Sequence, residues 1–407
     1  MLHSKIKTLF LASGALFLAI SLISFPKESL DASIRGLNMW WEVVFPSLLP
    51  FFIVSELLIG FGIVKFIGVL LEPLMRPLFR VPGVGGFVWV MGLASGFPAG
   101  AKFTARLRQE KQLTSYEAER LVSFTNASNP LFIFGAIAVG FFHNPHVGVI
   151  LAVAHYIGNL CVGLIMRFYG PNEKGSARDG RKGSQIREAF RALHYTRLEE
   201  KRPFGKMLGD AVTSSIQTLL MVGGFIILFS VFNALLALVN FTDILALMFS
   251  YALKLFTLPV ELATPLIAGL FEITLGSQMA SNTAEASLFY QIIITSFILG
   301  FCGLSVQAQV ASILAETDIR FKPFFFARIL HGFIAAFLTI IFWKPLYINL
   351  QDPANASHAV TVFFHNQTTN WVIPFWEKIS QFGPIITIAS LGIYLCIYVL
   401  RMRSVLQ

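Results

Sequence analysis

Uncharged apolar runs recur along the whole chain, and most are about 17 to 25 residues long, enough for a helix to cross a bilayer. Lipid offers no partner to backbone polar groups, which limits spanning structures to helices and closed barrels. Charged residues make up 13% of the 407 residues and apolar residues 55%, whereas average globular domains carry about twice that share of charge. The sequence therefore predicts an all-α polytopic membrane protein with about 12 transmembrane helices.

Basic residues are concentrated between the apolar runs. The net charge is +9, and residues 167–206 supply about two-thirds of it, with 11 Lys and Arg against 5 Asp and Glu. Basic loops of membrane proteins face the cytoplasm, so this excess indicates topology and not nucleic-acid binding. The other basic segments are the N-terminus, 102–120, 316–328 and 401–403. We expect all of them, both termini included, to be cytoplasmic in a bacterial cell membrane, with residues 348–381 outside.

The two halves of the chain overlie one another with offsets of 174 to 177 residues. Gly92-Leu93 falls on Gly269-Leu270, and Gly158 falls on Gly332. We expect about five crossings in each half, and an odd number inverts one half relative to the other. Inverted repeats with broken helices are common in secondary transporters. The weaker runs 66–79 and 243–258 either span the membrane or re-enter it.

These features predict a division of the chain into five parts. The linker between the repeats combines Gly, Ser and charge with little periodicity, which indicates a solvated connection. The parts are an N-terminal span with its outer loop (1–38), a first repeat (39–168), a basic cytoplasmic linker (169–207), a second repeat (208–347), and an outer loop with a C-terminal span (348–407).

Helix-breaking residues interrupt the apolar run that leads to Leu107. Gly96, Pro98 and Gly100 fall within five residues, too many for a plain spanning helix. Open backbone at membrane depth is tolerated where protein buries it or where it lines a wet cavity. Transporters place substrate sites at such breaks when both halves carry them, and residues 269–278 are the matching stretch. The alternative is a kink that only fits helices together.

Two further apolar runs, residues 121–142 and 287–314, have polar centres. Residues 123–130 contain six polar or helix-breaking residues in eight, with Asn126 and Asn129 on one helix face. Ordinary hydrogen bonding between helices is the alternative explanation. The candidate substrate-binding residues from all four stretches are Gly96, Phe97, Pro98, Gly100, Thr125, Asn126, Asn129, Pro130, Glu272, Thr274, Gly276, Gln278, Ser305, Gln307 and Gln309.

Two carboxylates, Glu56 and Glu272, lie inside apolar runs, where an ionisable residue is a functional candidate by default. We favour Glu272, because Thr274, Gln278 and the two asparagines are its expected company. Glu56 has only a serine as a polar neighbour within a helical turn, which favours a structural role.

No motif points to catalysis or to a resident metal. The pair His143 and His146 lacks the Cys or carboxylate ligands that a metal site needs nearby. The three cysteines are isolated in apolar runs and form neither a disulfide framework nor a zinc site. Paired aspartates, a Ser/His pair and the HExxH pattern are not recognisable. We therefore expect no enzyme activity and no cofactor.

Three motifs resemble the YlbJ family of sporulation integral membrane proteins of endospore-forming bacteria. They are Trp40-Trp-Glu-Val-Val-Phe-Pro-Ser-Leu-Leu-Pro-Phe-Phe52, Gly96-Phe-Pro-Ala-Gly-Ala-Lys102 and Thr125-Asn-Ala-Ser-Asn-Pro130. The family carries the nucleoside-recognition, or Gate, domain that also occurs in nucleoside and ferrous-iron transporters. The resemblance implies that the two repeats are Gate-like and that the protein acts in forming the spore cortex, from a mother-cell or forespore membrane. It leaves the substrate open.

Two functions fit these features. The first is a transporter that moves a small or lipid-linked solute across a sporulation membrane, supported by the paired broken helices. The second is a scaffold for cortex synthesis that keeps a transporter-like fold, supported by the few titratable groups in the centre. Membrane lipids and other sporulation membrane proteins are the expected partners, and the oligomeric state stays open. The change Glu272→Gln separates the two, because a scaffold tolerates a near-isosteric substitution.

Overall fold

The computed structural model describes residues 2–170 and 185–349, and in these ranges the chain is helical with no strand. An all-α membrane protein is therefore confirmed. By its internal contacts the chain divides into residues Met1–Tyr347 and Ile348–Gln407. The expected outer loop and C-terminal span fall in the second unit, outside the described residues apart from Ile348 and Asn349. The count of about 12 spans stays a prediction.

The first half of the chain forms eight α-helices and a π-helix between the seventh and the eighth. They are α1 (Leu2–Ser24), α2 (Pro26–Met39), α3 (Phe45–Gly60), α4 (Ile63–Phe79), α5 (Val84–Ser95), α6 (Ala99–Gln109), α7 (Ser115–Thr125), the π-helix Leu131–Phe141 and α8 (His146–Met166). A short π-helical turn, Trp40–Val44, joins α2 to α3. Helix α7 begins with a capping box, in which Thr114 Oγ1 accepts from the Glu117 amide at 3.3 Å and the Glu117 carboxylate accepts from the Thr114 amide at 2.9 Å.

The second half begins with an additional helix and then repeats the order of the first. Its helices are α9 (Gln185–Glu199), α10 (Phe204–Leu238), α11 (Phe241–Leu255), α12 (Ala263–Phe271), α13 (Ile273–Ser281), α14 (Leu288–Phe301), α15 (Gly303–Leu314) and α16 (Phe321–Trp343). From α3 onward each element of the first half has its counterpart: α3 with α10, α4 with α11, α5 with α12, α6 with α13, α7 with α14, the π-helix with α15, and α8 with α16.

Helix α16 shows that equivalent helices run in opposite directions. Glu119 accepts from Arg320 at 2.7 Å and, further along α7, the Asn126 carbonyl accepts from Arg328 at 2.9 Å. Helices α7 and α16 are therefore parallel. Against the same helix, Phe301 at the end of α14 meets Phe325 edge-on, and Phe289 at the start of α14 lies near Trp343. Helix α14 is antiparallel to α16, so α7 and α14 are inverted relative to each other.

Four described helical segments are long and apolar enough to cross a membrane. They are His146–Met166, Phe204–Leu238, Leu288–Leu314 and Phe321–Ile348. The pair Leu48–Gly60 and Ile63–Phe79 adds a fifth only if the two are counted together, since they meet at 82°. Gly62 makes this bend, because its φ of +82° lies in the left-handed region that ends helices. The weak run 66–79 is thus the second arm of a sharp bend.

The expected solvated linker contains a helix that sequence periodicity did not reveal. Helix α9 packs on α4, with Phe190 against Phe66 at 5.1 Å between ring centroids. The ion pair of Lys65 with Glu199, at 3.8 Å, closes the same contact. Residues 185–199 therefore pack on the first repeat, and the division of the chain at this linker stays a prediction.

Candidate functional site: a central cavity at four helix breaks

The break between α5 and α6 lies at Gly96. Its φ of +85° and ψ of −169° belong to a region that only glycine adopts without strain. A Cβ at this position would come within 3.1 Å of the main chain and side chain of Asn129. The Asn129 amide also donates to the Ser95 carbonyl at 3.1 Å, which occupies an acceptor at the end of α5. Asn129, which lies just before the π-helix, therefore stabilises the break between α5 and α6.

The break between α7 and the π-helix runs from Asn126 to Asn129. Asn129 Oδ1 accepts from the amide of Phe132 at 2.7 Å and so caps the π-helix. Helix α8 pairs with the open backbone between the two helices: the amide of Ser128 donates to His155 Nε2 at 3.0 Å, and its carbonyl accepts from the Tyr156 hydroxyl at 3.1 Å. The segment is thus fixed although it is not helical.

The break between α12 and α13 lies at Glu272, whose backbone is extended, with φ −145° and ψ 123°. Its carboxylate accepts from the amide of Leu275 at 2.7 Å and from the Thr274 hydroxyl at 3.0 Å. Glu272 is therefore the N-cap of α13, and its negative charge faces the positive end of that helix dipole.

The break between α14 and α15 lies at Cys302 and Gly303, with φ of +64° and +60°. Gln307 Nε2 donates back to the Phe301 carbonyl at 3.0 Å, across the break. Helix α15 has no side-chain cap. Sequence reasoning treated Cys302 as a small buried hydrophobe and missed its left-handed backbone. The adjacent Gly303 was the only local signal.

All four breaks open onto one cavity of about 610 Å³. The residues that line it lie just before or at the beginning of each second half-helix, so four helix N-termini lie at the same space. The polar and backbone lining comes from Glu42, Gly96 and Phe97, Ser128 and Asn129, Glu272 and Thr274, and Ser305 and Gln309. Apolar residues of α3 and α10, among them Leu48, Val222 and Ile226, form the opposite wall.

Seven of the fifteen sequence-predicted candidates line this cavity. They are Gly96, Phe97, Asn129, Glu272, Thr274, Ser305 and Gln309. Gln278 lines a neighbouring cavity of about 240 Å³, which it shares with Glu272 and Thr274. None of these residues has been tested for binding, so their role in recognising a solute stays a prediction.

The remaining candidates lie behind the cavity wall in structural contacts. Gly100 packs against the Thr125 carbonyl, and Gly276 packs against Gly269. The Thr125 hydroxyl donates to the Leu121 carbonyl within its own helix, at 2.8 Å. Pro98 and Pro130 stand at the starts of their half-helices. The side chain of Asn126 is buried, and its carbonyl faces Arg328. The expectation that both asparagines face one site is therefore wrong for Asn126.

Glu56 has polar neighbours that its own helix does not supply. Lys102 Nζ lies 3.0 Å from Glu56 Oε1, and the Ser214 hydroxyl donates to the same oxygen at 3.3 Å. The sequence placed Lys102 in a cytoplasmic loop, but it lies in the first turn of α6 with a side chain only 13% exposed. The pair is separated by 46 residues in the sequence, which is why neighbour counting along one helix missed it.

A buried charge that sequence reasoning also missed lies next to the α7 break. Arg328 is fully buried and donates to the carbonyls of Ser123 and Asn126, at 2.5 and 2.9 Å, and to Asn159 Oδ1 at 3.1 Å. The rings of His155 and His331 lie beside it, 4.7 Å apart. The available signal was an arginine in an apolar run three positions before a histidine, but it was counted with the basic cytoplasmic segment 316–328.

Within residues 2–170 and 185–349, the His, Cys, Asp and Glu side chains form no group of three that could hold a metal ion. The described part of the cavity thus offers backbone dipoles, hydroxyls, amides and the carboxylates of Glu42 and Glu272. These groups can bind and orient a solute.

Residues 41–160 match the family described as nucleoside recognition, or Gate. This range lies within the expected first repeat, 39–168, and includes the breaks at Gly96 and at Asn126 to Asn129. An uncharacterised protein of Alkalihalophilus pseudofirmus is 30% identical over 134 residues, which are 32% of this chain and 28% of that protein. A solved structure of doubly substituted CNTnw in an outward-facing state covers 82% of this chain and 87% of its own, at 14% identity and a TM-score of 0.41, a likeness too distant to define the site.

The sporulation integral membrane protein YlbJ of Bacillus subtilis is 59% identical to this chain over 412 aligned residues, which cover 98% of each protein. The motifs at Trp40, Gly96 and Thr125 all fall within this alignment. This chain therefore belongs to the family of the sporulation integral membrane protein YlbJ.

Proposed function

We propose that this sporulation membrane protein is a transporter that moves a small solute bearing hydrogen-bond acceptor groups through the central cavity. The observation that carries the proposal is the convergence of four half-helix N-termini on one cavity. Transporters with inverted repeats bind their substrates at such a place, where positive helix ends face negative groups of the substrate. We further propose that the protein acts in cortex formation from a mother-cell or forespore membrane. Membership of a family of sporulation membrane proteins supports this setting.

The electrostatics of the cavity favour an acceptor-bearing solute. Each helix N-terminus carries a partial positive charge of about half a unit. Glu272 neutralises one of the four, at α13, and its two oxygens are already occupied by Thr274 and Leu275. The N-termini of α6 and α15 have no side-chain cap. The second lining carboxylate, Glu42, lies in the turn between α2 and α3 and caps neither α6 nor α15. A carboxylate or similar group of a solute complements these two N-termini.

Two buried hydroxyls strengthen this assignment. Ser128 and Ser305 both line the cavity, are 1% and 2% exposed, and have no hydrogen-bond partner at Oγ. They are 177 residues apart, the offset of the repeat. A buried hydroxyl without a partner costs about 1–3 kcal/mol, and a solute that accepts from both removes this cost. The repeat thus supplies one donor from each half.

The size and walls of the cavity favour a small molecule. Ligand sites for small molecules measure roughly 300–1,000 Å³ and are mostly apolar with a few convergent polar groups. The cavity of about 610 Å³ fits this range, and its apolar wall comes from α3 and α10. A lipid-linked solute remains an outcome of the experiment below.

The test uses proteoliposomes that contain the full chain and a small-molecule extract of sporulating cells. After incubation, the vesicle interior and the lipid fraction are compared separately by mass spectrometry with those of empty liposomes. We expect enrichment of one or a few carboxylate-bearing solutes in the interior. The matched variant carries Ser128→Ala and Ser305→Ala, removes only the two hydroxyl groups, and should lose the enrichment at equal protein content.

Other outcomes decide between the alternatives. Enrichment in the lipid fraction alone points to a lipid-linked substrate and contradicts the small-solute assignment. Equal contents with wild-type protein and empty liposomes contradict transport and favour the scaffold function. Enrichment that survives the double substitution removes the two serines from the site.

A further inference from the structure

Glu56, the partner of Lys102, lines a second cavity. The second cavity measures about 490 Å³ and is lined by charged side chains, among them Glu56, Arg106, Glu199, Arg202 and Asp210. Its lining is far more polar than that of the central cavity.

Three helices, α3, α6 and α10, run past both cavities. The positions of the lining residues along each helix define a path from one cavity to the other. On α3, Leu48 lines the central cavity and Glu56 to Gly60 line the second one. On α10, Val222 and Ile226 line the central cavity, and Asp210 to Ser214 line the second. Before and along α6, Gly96 and Phe97 line the first, and Arg106 and Leu107 the second. The two cavities are therefore successive spaces between the same three helices.

The material between the cavities consists of a few side chains from these helices. Phe52 of α3 is fully buried, and Lys102 Nζ lies 4.9 Å from the centre of its ring. Glu56 lies one helical turn further along α3 and holds Lys102 at 3.0 Å, with Ser214 of α10 completing the contact. Each of the three helices thus contributes one part of the barrier.

The other charges around the second cavity are paired nearer the surface. Arg106 binds Glu110 at 2.7 Å, with side chains 51% and 33% exposed. Arg202 binds Asp210 and Glu200 at 2.8 and 2.7 Å. The side chains of Lys102 and Glu56 are 13% and 18% exposed. Because screening by water is weaker for buried charges, the Lys102–Glu56 pair is the least screened of these ion pairs.

We propose that Lys102 and Glu56 form the gate between the two cavities, and that Lys102 exchanges Glu56 for the acceptor group of the solute as the solute passes. The second clause rests on the proposed function, whereas the gate itself does not. A cation that neutralises one carboxylate can accept another of the same charge in its place. Glu56 then keeps the Ser214 hydroxyl and faces the polar lining of the second cavity, where its charge is not left in an apolar environment. Lys102 is then the residue that selects for acceptor-bearing solutes.

The gate is tested by labelling, which does not depend on transport. A cysteine replaces Val222, which is 2% exposed and lines the central cavity. A membrane-impermeant charged thiol reagent is applied to sealed vesicles from the face that carries the second cavity. Labelling of the native cysteines is subtracted with a matched protein that lacks the introduced one. In the otherwise wild-type protein we expect the reagent to be excluded.

Breaking the pair should open the path. With Glu56→Gln or Lys102→Met, we expect labelling to rise about tenfold, the change in open population that corresponds to about 1.4 kcal/mol. The exchange of both residues, Glu56→Lys with Lys102→Glu, restores the attraction and should restore exclusion, which separates gate opening from misfolding. Arg106→Met breaks the exposed pair on the same helix and should leave exclusion unchanged.

The outcomes separate the gate from the proposed function. Equal labelling in the wild type and in Glu56→Gln overturns the gate, as does an exchanged protein that labels like the single variants. The binding of the solute by Lys102 is tested in the extract assay. The protein with Glu56→Lys and Lys102→Glu should keep the closed gate but lose enrichment of the carboxylate-bearing solute. Normal enrichment by that protein removes Lys102 from selection, whereas absence of enrichment by the wild type contradicts transport and leaves the labelling result standing.

Discussion

The guanidinium of Arg328 donates to the main-chain carbonyl of Asn126 at 2.9 Å, 202 residues away in the sequence and in the other half of the chain. The carbonyl belongs to the end of α7, where the last carbonyls lack intrahelical partners and carry a partial negative charge. A charged side chain from α16 therefore stabilises the helix end that the break leaves open. The equivalent end of α14 receives the neutral amide of Gln307 at the Phe301 carbonyl, so the two halves satisfy their open helix ends with different side chains.

Removal of this charge should destabilise the fold. Arg328→Met keeps most of the side-chain volume but leaves the carbonyls of Ser123 and Asn126 and the oxygen of Asn159 without their donor. Each buried polar group left unpaired costs about 1–3 kcal/mol, so we expect a loss of at least about 3 kcal/mol. The measurement is the free energy of unfolding in mixed micelles.

Two controls isolate the role of the charge. Arg328→Lys keeps a donor and should lose clearly less stability than Arg328→Met. Arg106→Met removes a half-exposed arginine and should change stability by less than about 1 kcal/mol, the typical limit for an exposed pair. A methionine variant at position 328 that is as stable as Arg106→Met contradicts the assigned role.

Gly96 should tolerate no side chain. Gly96→Ala places a Cβ within 3.1 Å of Asn129 at a backbone conformation that is nearly exclusive to glycine. We expect a loss of about 2 kcal/mol or more in stability, together with loss of solute enrichment, because the break that lines the cavity must shift. The measurements are unfolding in mixed micelles and the extract assay.

Gly224 provides the matched control for this change. It lies inside α10, and a Cβ there meets nothing within 4 Å. Alanine is the better helix former, so Gly224→Ala should be neutral or stabilising by up to about 1 kcal/mol. If both substitutions have the same effect, the conformation of Gly96 is not what holds the break.

The positions of the breaks explain which parts of the site could be predicted from the sequence. Glycine and proline predict the break at Gly96, and asparagine with proline predicts the break that begins at Asn126. These residues disfavour a helix whatever their surroundings. The break at Cys302 carries only Gly303 as a signal, since a left-handed cysteine is imposed by its surroundings. The fold class followed from the apolar runs, which depend on the bilayer and not on local detail.

Long-range pairs account for what could not be predicted. Lys102 looked like a loop residue because basic residues follow it, and its partner Glu56 lies on another helix. Arg328 looked like part of a basic segment because residues 316–328 are basic, although it is fully buried. Periodicity along one helix gives the face of a residue, but it does not give the helix that packs against that face.

Glu272 should matter for function more than for stability. Glu272→Gln keeps the oxygen that accepts from Leu275 or Thr274 and the size of the side chain, and removes the charge and the titratable proton. We expect near-normal protein in the membrane of a sporulating cell and heat-sensitive spores with a defective cortex. The measurements are protein content by immunoblot and spore survival after heating.

The spores of this variant also discriminate between the two functions. A scaffold tolerates the near-isosteric change, so wild-type heat resistance at equal protein content would exclude proton coupling through Glu272 and favour the scaffold. Glu56→Gln in the same strain background provides the comparison, because its effect should follow the gate and appear as leak in the labelling assay.

The inversion of the repeats predicts that equivalent loops lie on opposite sides of the membrane. The loop between α6 and α7 follows Gln109 and is surrounded by basic residues, and it contacts the loop before α16 through Arg108 and Asp318 at 2.6 Å. The equivalent loop between α13 and α14 contains the exposed Glu285 and lacks Lys and Arg.

Cysteines introduced at Gln109 and at Glu285 should react with an impermeant thiol reagent from the inside and the outside, respectively. Both positions are exposed, so neither change should affect folding. Labelling of both from one side would contradict the inverted arrangement, because an inverted pair cannot place equivalent loops on the same face.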